Sequence, residues 1–189
     1  MPRGLALAPP DPPLADDVIH LGPLSQADHA ELLELVDDDA IKAFTRVPTD
    51  ADAAFVSRWI VRYEQGWQDG SCAGFGARTV GNGSLVAFAA FVDLDLEGRQ
   101  GEIGYAVARA ARGRGIAGRV LELLTRWGFD ELELARIELV IDVRNPGSER
   151  VAQRAGYRLE GVRRSMAFKE GRRIDSGIWS RLHDDLPVP

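Results

Sequence analysis

Gly113, Gly115 and Gly118, set among Arg109, Arg112, Arg114 and Arg119, make up the stretch of this chain best suited to chemistry. Glycines let the backbone approach a ligand closely. A helix starting behind them offers unpaired N–H groups at the positive end of its dipole. That combination suits a phosphate or pyrophosphate. No acidic residue lies between Arg109 and Arg119, although the chain as a whole carries a net charge of −6. The alternative is a solvated basic turn at a helix start. Asn145 and Ser148 flank a second helix start, and either can cap it. Cys72 is the only cysteine; no intrachain disulfide can form, and packing is its expected role.

The glycine-rich stretch belongs to a strand, turn, helix and strand spanning 102–142. Residues 100–108 read as the first strand. The helix from Gly115 carries Ile116, Val120, Leu123, Leu124 and Trp127 on one face. Residues 136–143 alternate Ile137, Leu139, Ile141 and Val143 with Glu138, Val140 and Asp142. A crossover of this kind makes its two strands parallel. Strands at 73–80 and 85–92 precede it on short connections, which force antiparallel neighbours.

Further upstream, 18–21 reads as a first strand. Ser25 with Asp28 opens a helix that Asp37-Asp38-Asp39 closes, and Thr49 with Asp52 opens another carrying Phe55, Val56, Trp59, Ile60 and Tyr63. Gly66 and Gly70 end that helix. Phe44, Arg46 and Pro48, between the two helices, either line a substrate groove or seal the core; Trp59 and Trp67 would flank such a groove. Downstream come a short helix over 149–155 and strands at 157–159, 165–169 and 174–182, the last two joined at Glu170-Gly171. The fold class is therefore α/β, with a mixed and mostly antiparallel sheet. It forms one domain over 17–185 behind a proline-rich, extended tail over 1–16.

The 189 residues suffice for one sizeable core, and 45% apolar with 28% charged residues is ordinary for a globular protein. The negative net charge excludes general affinity for nucleic acid, which needs a basic face. No apolar run reaches membrane-spanning length, and no basic segment followed by an apolar core marks a signal peptide. No membrane partner, no metal and a cytoplasmic location are the expectations.

Gly113-x-Gly115-x-x-Gly118 spells the dinucleotide fingerprint, and Asp142 lies near where a ribose-binding acid belongs. The surroundings disagree, because an antiparallel meander precedes the loop where a doubly wound domain needs further strand–helix units. Arg112-x-x-Gly115-x-Ala117 instead resembles the coenzyme-A loop of the GNAT superfamily of N-acetyltransferases. Glu102-Ile103-Gly104-Tyr105, Asn145-x-x-Ser148, Ala155-Gly156-Tyr157 and Leu159-Glu160-Gly161 stand in the order of its RimJ/RimL-like, ribosomal-protein branch. The segment Glu170-Gly171-Arg172-Arg173-Ile174-Asp175 is similar to that branch as well. The likeness runs over about 18–182.

The resemblance implies the GNAT fold, with one splayed parallel strand pair and flanking helices. It implies acetyl-CoA as co-substrate and acetyl transfer to a primary amine, on a protein N-terminus or a small molecule, by direct attack in a ternary complex. The pantetheine arm would lie along Ala106, Val107 and Ala108, with the Val107 N–H steadying the carbonyl oxygen. The pyrophosphate would sit on Gly113, Gly115, Ile116 and Ala117, with Arg112 and Arg114 adding charge. Asn145 and Ser148 would contact the arm. Glu102 matches a catalytic glutamate of some members and is the candidate base; a surface or ion-paired role is its alternative. Many members carry an acidic tyrosine on the helix after the second parallel strand. Ala152 stands at that position here, which leaves Ser148 or Asn145 as proton donor, with helix capping the alternative for Ser148. Tyr157 is assigned to packing. An inactive acyl-CoA-binding module, or a donor such as succinyl-CoA paired by Arg46 or Arg78, remain alternatives. The Asp37-Asp38-Asp39 run would suit a polyamine if it lined the groove. A homodimer is compatible with the branch.

Overall fold

Eight strands form a single open sheet in the order β1-β2-β3-β4-β5-β6-β8-β7. The structure is a computed structural model and describes residues 6–185. Residues 1–5 of the expected tail, and 186–189, lie outside the described residues. The strands are β1 (Leu14–Ala15), β2 (Ile19–Pro23), β3 (Ala73–Thr79), β4 (Leu85–Asp95), β5 (Gln100–Val107), β6 (Arg136–Asp142), β7 (Arg158–Lys169) and β8 (Arg172–Leu182). Only β5 and β6 run parallel; every other neighbouring pair is antiparallel. The dinucleotide alternative fails on this point, since a doubly wound domain needs a run of parallel strands.

Helices cover both faces. On one lie α1 (His29–Val36), α2 (Asp39–Phe44) and α3 (Ala53–Asp69), packing Leu32, Val36, Ile41, Val56, Ile60 and Tyr63 against Phe88, Ala90 and Ala106. On the other lie α4 (Ile116–Asp130) and α5 (Pro146–Arg154), where Val120, Leu121, Leu124 and Trp127 meet Phe75, Phe91, Ile103, Ile137 and Leu139. The strict alternation of buried and half-buried residues along β6 follows from the period of two of a strand.

Four local expectations differ from the structure. Ser25 and Asp28 do form a reciprocal capping box, but it closes a 3-10 turn ahead of α1. The acidic run after α1 starts a new helix instead of fraying: the Asp38 carboxylate accepts the Ile41 N–H at 3.0 Å and caps α2. Asp52, not Thr49, caps α3, which runs through Gly66 to Asp69; Gly66 stands inside the helix because Cys72 packs too closely there for any Cβ, and Gly70 ends it. The two short strands expected at 157–159 and 165–169 are one strand, β7, with irregular pairing near Gly161 and between Arg163 and Ala167.

The proline-rich segment lies against the body from Leu7 onward. The Leu7 N–H donates to the Trp67 carbonyl at 2.8 Å, and β1 pairs with β2. No helix among the described residues is long and apolar enough to cross a membrane.

Candidate functional site

The parallel pairing of β5 and β6 covers only Gln100↔Arg136, Gly101↔Ile137 and Glu102↔Glu138. Beyond Glu102, β5 stays with β4 as far as Val107, and β6 stays with β8 as far as Asp142. The strands therefore part, and one edge of β5 is left without a partner strand from Ile103 to Val107. The Ala108 N–H is used on the β4 side, donating to the Val86 carbonyl at 2.9 Å. Backbone groups alternate sides along a strand, so the Val107 N–H faces the open cleft. Of the three residues expected along the arm, Val107 thus presents its backbone there, while Ala106 and Ala108 direct theirs to β4. Ala106 lines the cleft through its small side chain.

The glycine-rich loop follows directly. Gly113 and Gly115 adopt φ of 74° and 78°, the left-handed region that a side chain disfavours. A Cβ on either would meet nothing within 4 Å, so backbone conformation and not crowding calls for glycine. The first helical bond of α4 runs from the Arg119 N–H to the Gly115 carbonyl at 3.2 Å. The N–H groups from Gly113 to Gly118 accordingly carry no backbone partner among the described residues. Ile116 is buried and offers only its N–H.

The arginines differ in their freedom. Arg112 donates to Asp38 at 2.7 Å and to the Val107 carbonyl at 3.1 Å, clamping the loop to α2 and to the end of β5. Burial pushes the Asp38 carboxyl up, but Arg112 and the Ile41 N–H outweigh it and leave it below the ordinary carboxylate range. Arg119 is held by Asp16 and Asp17 at 2.8 and 2.7 Å. Arg114 makes no ion pair among the described residues.

A groove of about 640 Å³ passes through the cleft. Its floor is β5 from Glu102 to Ala106 and β6 from Leu139 to Asp142, and its walls come from the α2–α3 loop, α3, and the β7–β8 hairpin. Phe44, Arg46 and Pro48 line it, as the groove alternative for that loop held. Trp59 stacks beside Phe88 with ring centroids 4.2 Å apart. Trp67 is absent from the groove and packs between Phe75 and Trp127 in the core on the opposite sheet face. Glu102 is ion-paired: one Arg46 nitrogen reaches its two carboxylate oxygens at 2.6 and 2.9 Å. Arg78 is remote, tied to Asp28, Glu31 and the Gly83 carbonyl. The Asp37-Asp38-Asp39 run does not line the groove.

Sequence reasoning passed over Lys169. Its ammonium donates to the carbonyls of Thr45 and Val47 at 2.6 and 2.9 Å, strapping the hairpin across the α2–α3 loop. Burial pulls its pKa below the usual lysine value, with Glu170 acting against that. No local pattern marks such a contact, because its partners are backbone atoms more than a hundred residues away.

At the far end of the cleft stands the start of α5. Asn145 is the cap: its side-chain oxygen accepts the Ser148 N–H at 3.1 Å, and its amide donates to the Ser148 hydroxyl oxygen at 3.1 Å. Ser148 is therefore not the capping residue, and its hydroxyl proton stays free to donate. Ala152 is fully buried. The Tyr157 hydroxyl pairs with Thr125 at 2.8 Å inside the core, which fits packing. Tyr105, also passed over, lines the groove, and its buried hydroxyl lies beside the Ser148 hydroxyl.

Known proteins share this arrangement. Residues 19–158 match the family model described as an acetyltransferase (GNAT) domain. The chain is 34% identical over 101 residues to YdaF of Bacillus subtilis (strain 168), provisionally named a ribosomal N-acetyltransferase; the match covers 53% of this chain and 55% of that protein. The chain thus spans about half the length of the curated relatives it matches. Among solved structures, the ribosomal-protein alpha-N acetyltransferase RimL in complex with coenzyme A superposes with a TM-score of 0.81 at 18% identity, over 90% of this chain and 96% of that one. Spermidine N-acetyltransferase from Vibrio cholerae, in complex with CoA and spermine, gives 0.78 at 19% identity, over 87% and 95%. At these identities the two likenesses speak to the fold. The mixed sheet with its single splayed parallel pair is the fold they share, and on the family match the chain belongs to the acetyltransferase (GNAT) domain family.

Proposed function

We propose that this protein is an acetyl-CoA-dependent N-acetyltransferase that passes the acetyl group directly to a primary amine in a ternary complex. The observation that carries this reading is that β5, whose unpaired edge lines the groove, leads directly into a loop whose six N–H groups from Gly113 to Gly118 have no backbone partner among the described residues. The loop amides and Arg114 bind the diphosphate. The pantetheine arm lies along β5, and the Val107 N–H, facing the cleft, holds the carbonyl oxygen as charge develops on it. Arg112 serves by clamping the loop, a positioning part rather than the expected direct charge. Asn145 fixes Ser148 beside the arm.

Glu102 takes the proton from the incoming ammonium, directly or through water. In the free protein Arg46 neutralises it, so the acceptor must displace or share that arginine. Arg46, Arg62 and Lys169 offset Glu102, Asp142 and Glu170 around an aromatic-walled groove. That balance favours an amine carried on an apolar or neutral body, such as a protein N-terminus, over a polycation.

The test is calorimetry with coenzyme A, followed by thiol release from acetyl-CoA over a panel of N-terminal peptides, polyamines and small amines. Micromolar binding with turnover on peptides is the expected result. No uptake of coenzyme A refutes the reading. Binding without turnover on any amine favours the second reading, an acyl-CoA-binding module, to which the Arg46–Glu102 ion pair lends some weight. Faster turnover with succinyl-CoA would assign Arg46 to the donor instead.

A further inference from the structure

The β7–β8 hairpin is basic in a chain whose net charge is −6: residues 163–175 hold Arg163, Arg164, Lys169, Arg172 and Arg173 against Glu170 and Asp175. Lys169 is committed to the carbonyls of Thr45 and Val47, and Asp175 accepts the Ser165 N–H at 2.7 Å. Arg163, Arg164, Arg172 and Arg173 are exposed and make no ion pair among the described residues. The Arg173 guanidinium lies 5.4 Å from the centre of the Phe168 ring. Phe168 is 65% exposed, and Leu159, Val162 and Met166 on the same strand are exposed as well. β7 ends the sheet, so its outer edge has no partner strand among the described residues. The same hairpin walls the groove through Ala167, Phe168, Lys169 and Glu170. Arginines on an edge strand can serve only to keep other strands away. That role does not call for an exposed phenylalanine and methionine among them.

We infer that the β7–β8 hairpin is the docking surface for an acidic segment of the acceptor polypeptide, downstream of the amine that enters the groove. The inference rests on the acetyltransferase reading and narrows its acceptor to a protein N-terminus followed by Asp- or Glu-rich chain. An extended chain leaving the groove at Phe168 reaches Arg163 within about 16 Å, or about five residues. Along that path guanidinium forks meet carboxylates in matching geometry. The free edge of β7 offers N–H and C=O groups to an extended partner, and Met166 and Phe168 offer apolar contact. A second copy of this chain meeting hairpin to hairpin would set like charges together. A nucleic-acid strand could use the arginines and the phenylalanine, but not the main-chain edge of β7. Exposed ion pairs contribute little singly, so the docking acts through their number and through the encounter rate. It therefore shows in KM for the acceptor and not in kcat.

The test combines Arg163→Gln, Arg164→Gln and Arg172→Gln in one variant; none of these residues lines the groove. Three acceptors share their first residues: a short neutral peptide, the same peptide extended to about twelve residues with Asp and Glu, and its Asn and Gln counterpart. The wild type should show a KM about tenfold lower for the acidic peptide than for its neutral counterpart. Added salt should shrink that advantage. The triple variant should lose it, with kcat, melting temperature and KM for the two neutral peptides unchanged. Lysine at the same three positions keeps the charge and should restore most of the preference. Equal KM for the acidic and neutral peptides in the wild type, or an unchanged acidic-peptide KM in the variant, overturns the inference. Turnover of the short peptide then still upholds the acetyltransferase reading. Tighter binding of a single-stranded oligonucleotide than of the acidic peptide, or a dimer that dissociates in the variant on sedimentation, gives the hairpin to another occupant and overturns it as well. No turnover on any amine removes the acetyltransferase reading first, and the inference with it.

Discussion

Replacing Gly115 and Gly118 by alanine, one at a time, separates the two meanings of a glycine-rich loop. Gly115 sits at φ 78°, ψ 1°, ahead of α4, whereas Gly118 lies inside the first turn of α4 with a helical backbone. Neither Cβ would meet anything within 4 Å. At Gly115 the whole cost is therefore conformational, about 1–2 kcal/mol for an L-residue held left-handed. In a chain of this size that is a fall in Tm of about 2–8 °C. At Gly118 the sign reverses. Alanine is favoured over glycine in a helix by up to about 1 kcal/mol, so Tm should rise by as much as about 4 °C. Coenzyme-A affinity should split in the same way. Turning one peptide plane away from the diphosphate loses a charge-assisted bond worth about 1.5–3 kcal/mol, roughly a 10- to 100-fold weaker Kd for Gly115→Ala. Gly118→Ala keeps its N–H in place and should bind within about twofold of wild type. Thermal unfolding and calorimetry with coenzyme A read both. A destabilised Gly118→Ala would mean the third glycine is needed for close helix packing, as in a dinucleotide site. An unaffected Gly115→Ala affinity would mean the loop amides do not hold the diphosphate.

Glu102→Gln keeps the shape of the groove but removes the proton acceptor and the partner of Arg46; kcat should drop about 10²-fold with coenzyme-A binding unchanged, and wild-type turnover on the true acceptor would return Glu102 to the role of an ion-pair partner. Asn145→Ala should cost about 1 kcal/mol of stability, because Asn145 caps α5, whereas Ser148→Ala should leave the urea midpoint nearly unchanged while lowering turnover; equal destabilisation by both would assign Ser148 to the cap. Arg136, with help from Ser180, holds the Glu160 carboxyl down at about 2. A lowered carboxylate stabilises above its unfolded value, near 4.3, and loses that contribution as pH falls through its folded value. The gap in urea midpoint between wild type and Glu160→Gln should therefore be largest above pH 5 and close between about pH 4 and 2, and it should stay small, about 1 kcal/mol or less, because the pair is half exposed. A gap that widens on acidification would contradict this sign.

The order of elements was legible because it rests on periodicity: β6 alternates as its sequence does, and α4 buries the face that carries Ile116, Val120, Leu123, Leu124 and Trp127. The parallel crossover and the short antiparallel connections followed from chain geometry alone. The second helix after α1 was not legible, since Asp37-Asp38-Asp39 reads as an unfavourable helix end until Asp38 is seen to cap α2 and to bind Arg112. Side-chain partners were hidden for the same reason. Arg112 and Arg119 look like free charge in a basic loop, yet both are spent on aspartates a long way off in sequence. The pairing of Glu102 with Arg46 spans 56 residues, and only the weighing of an ion-paired alternative anticipated it.

The period of two along β5 also sorts the proposed chemistry between the faces of the sheet. Ala106 packs with the α1–α3 side, the side from which Arg46 meets Glu102, and Tyr105 and Val107 pack with the α4–α5 side. An amine arriving past Trp59 and Phe88 therefore meets the carboxylate that would take its proton before it reaches the cleft. A thioester lying in the cleft would have Tyr105 and Ser148 on its other side. Glu102 and Tyr105, three residues apart on a strand, lie across the sheet from each other, beside the point where β6 parts from β5. Under the proposed function, the splay would admit the pantetheine arm from one face of the sheet and the amine from the other. Closing it, by a substitution that extends β5–β6 pairing past Glu102, should abolish turnover while leaving the glycine loop able to bind adenosine 3′-phosphate 5′-diphosphate, which keeps the diphosphate and lacks the arm.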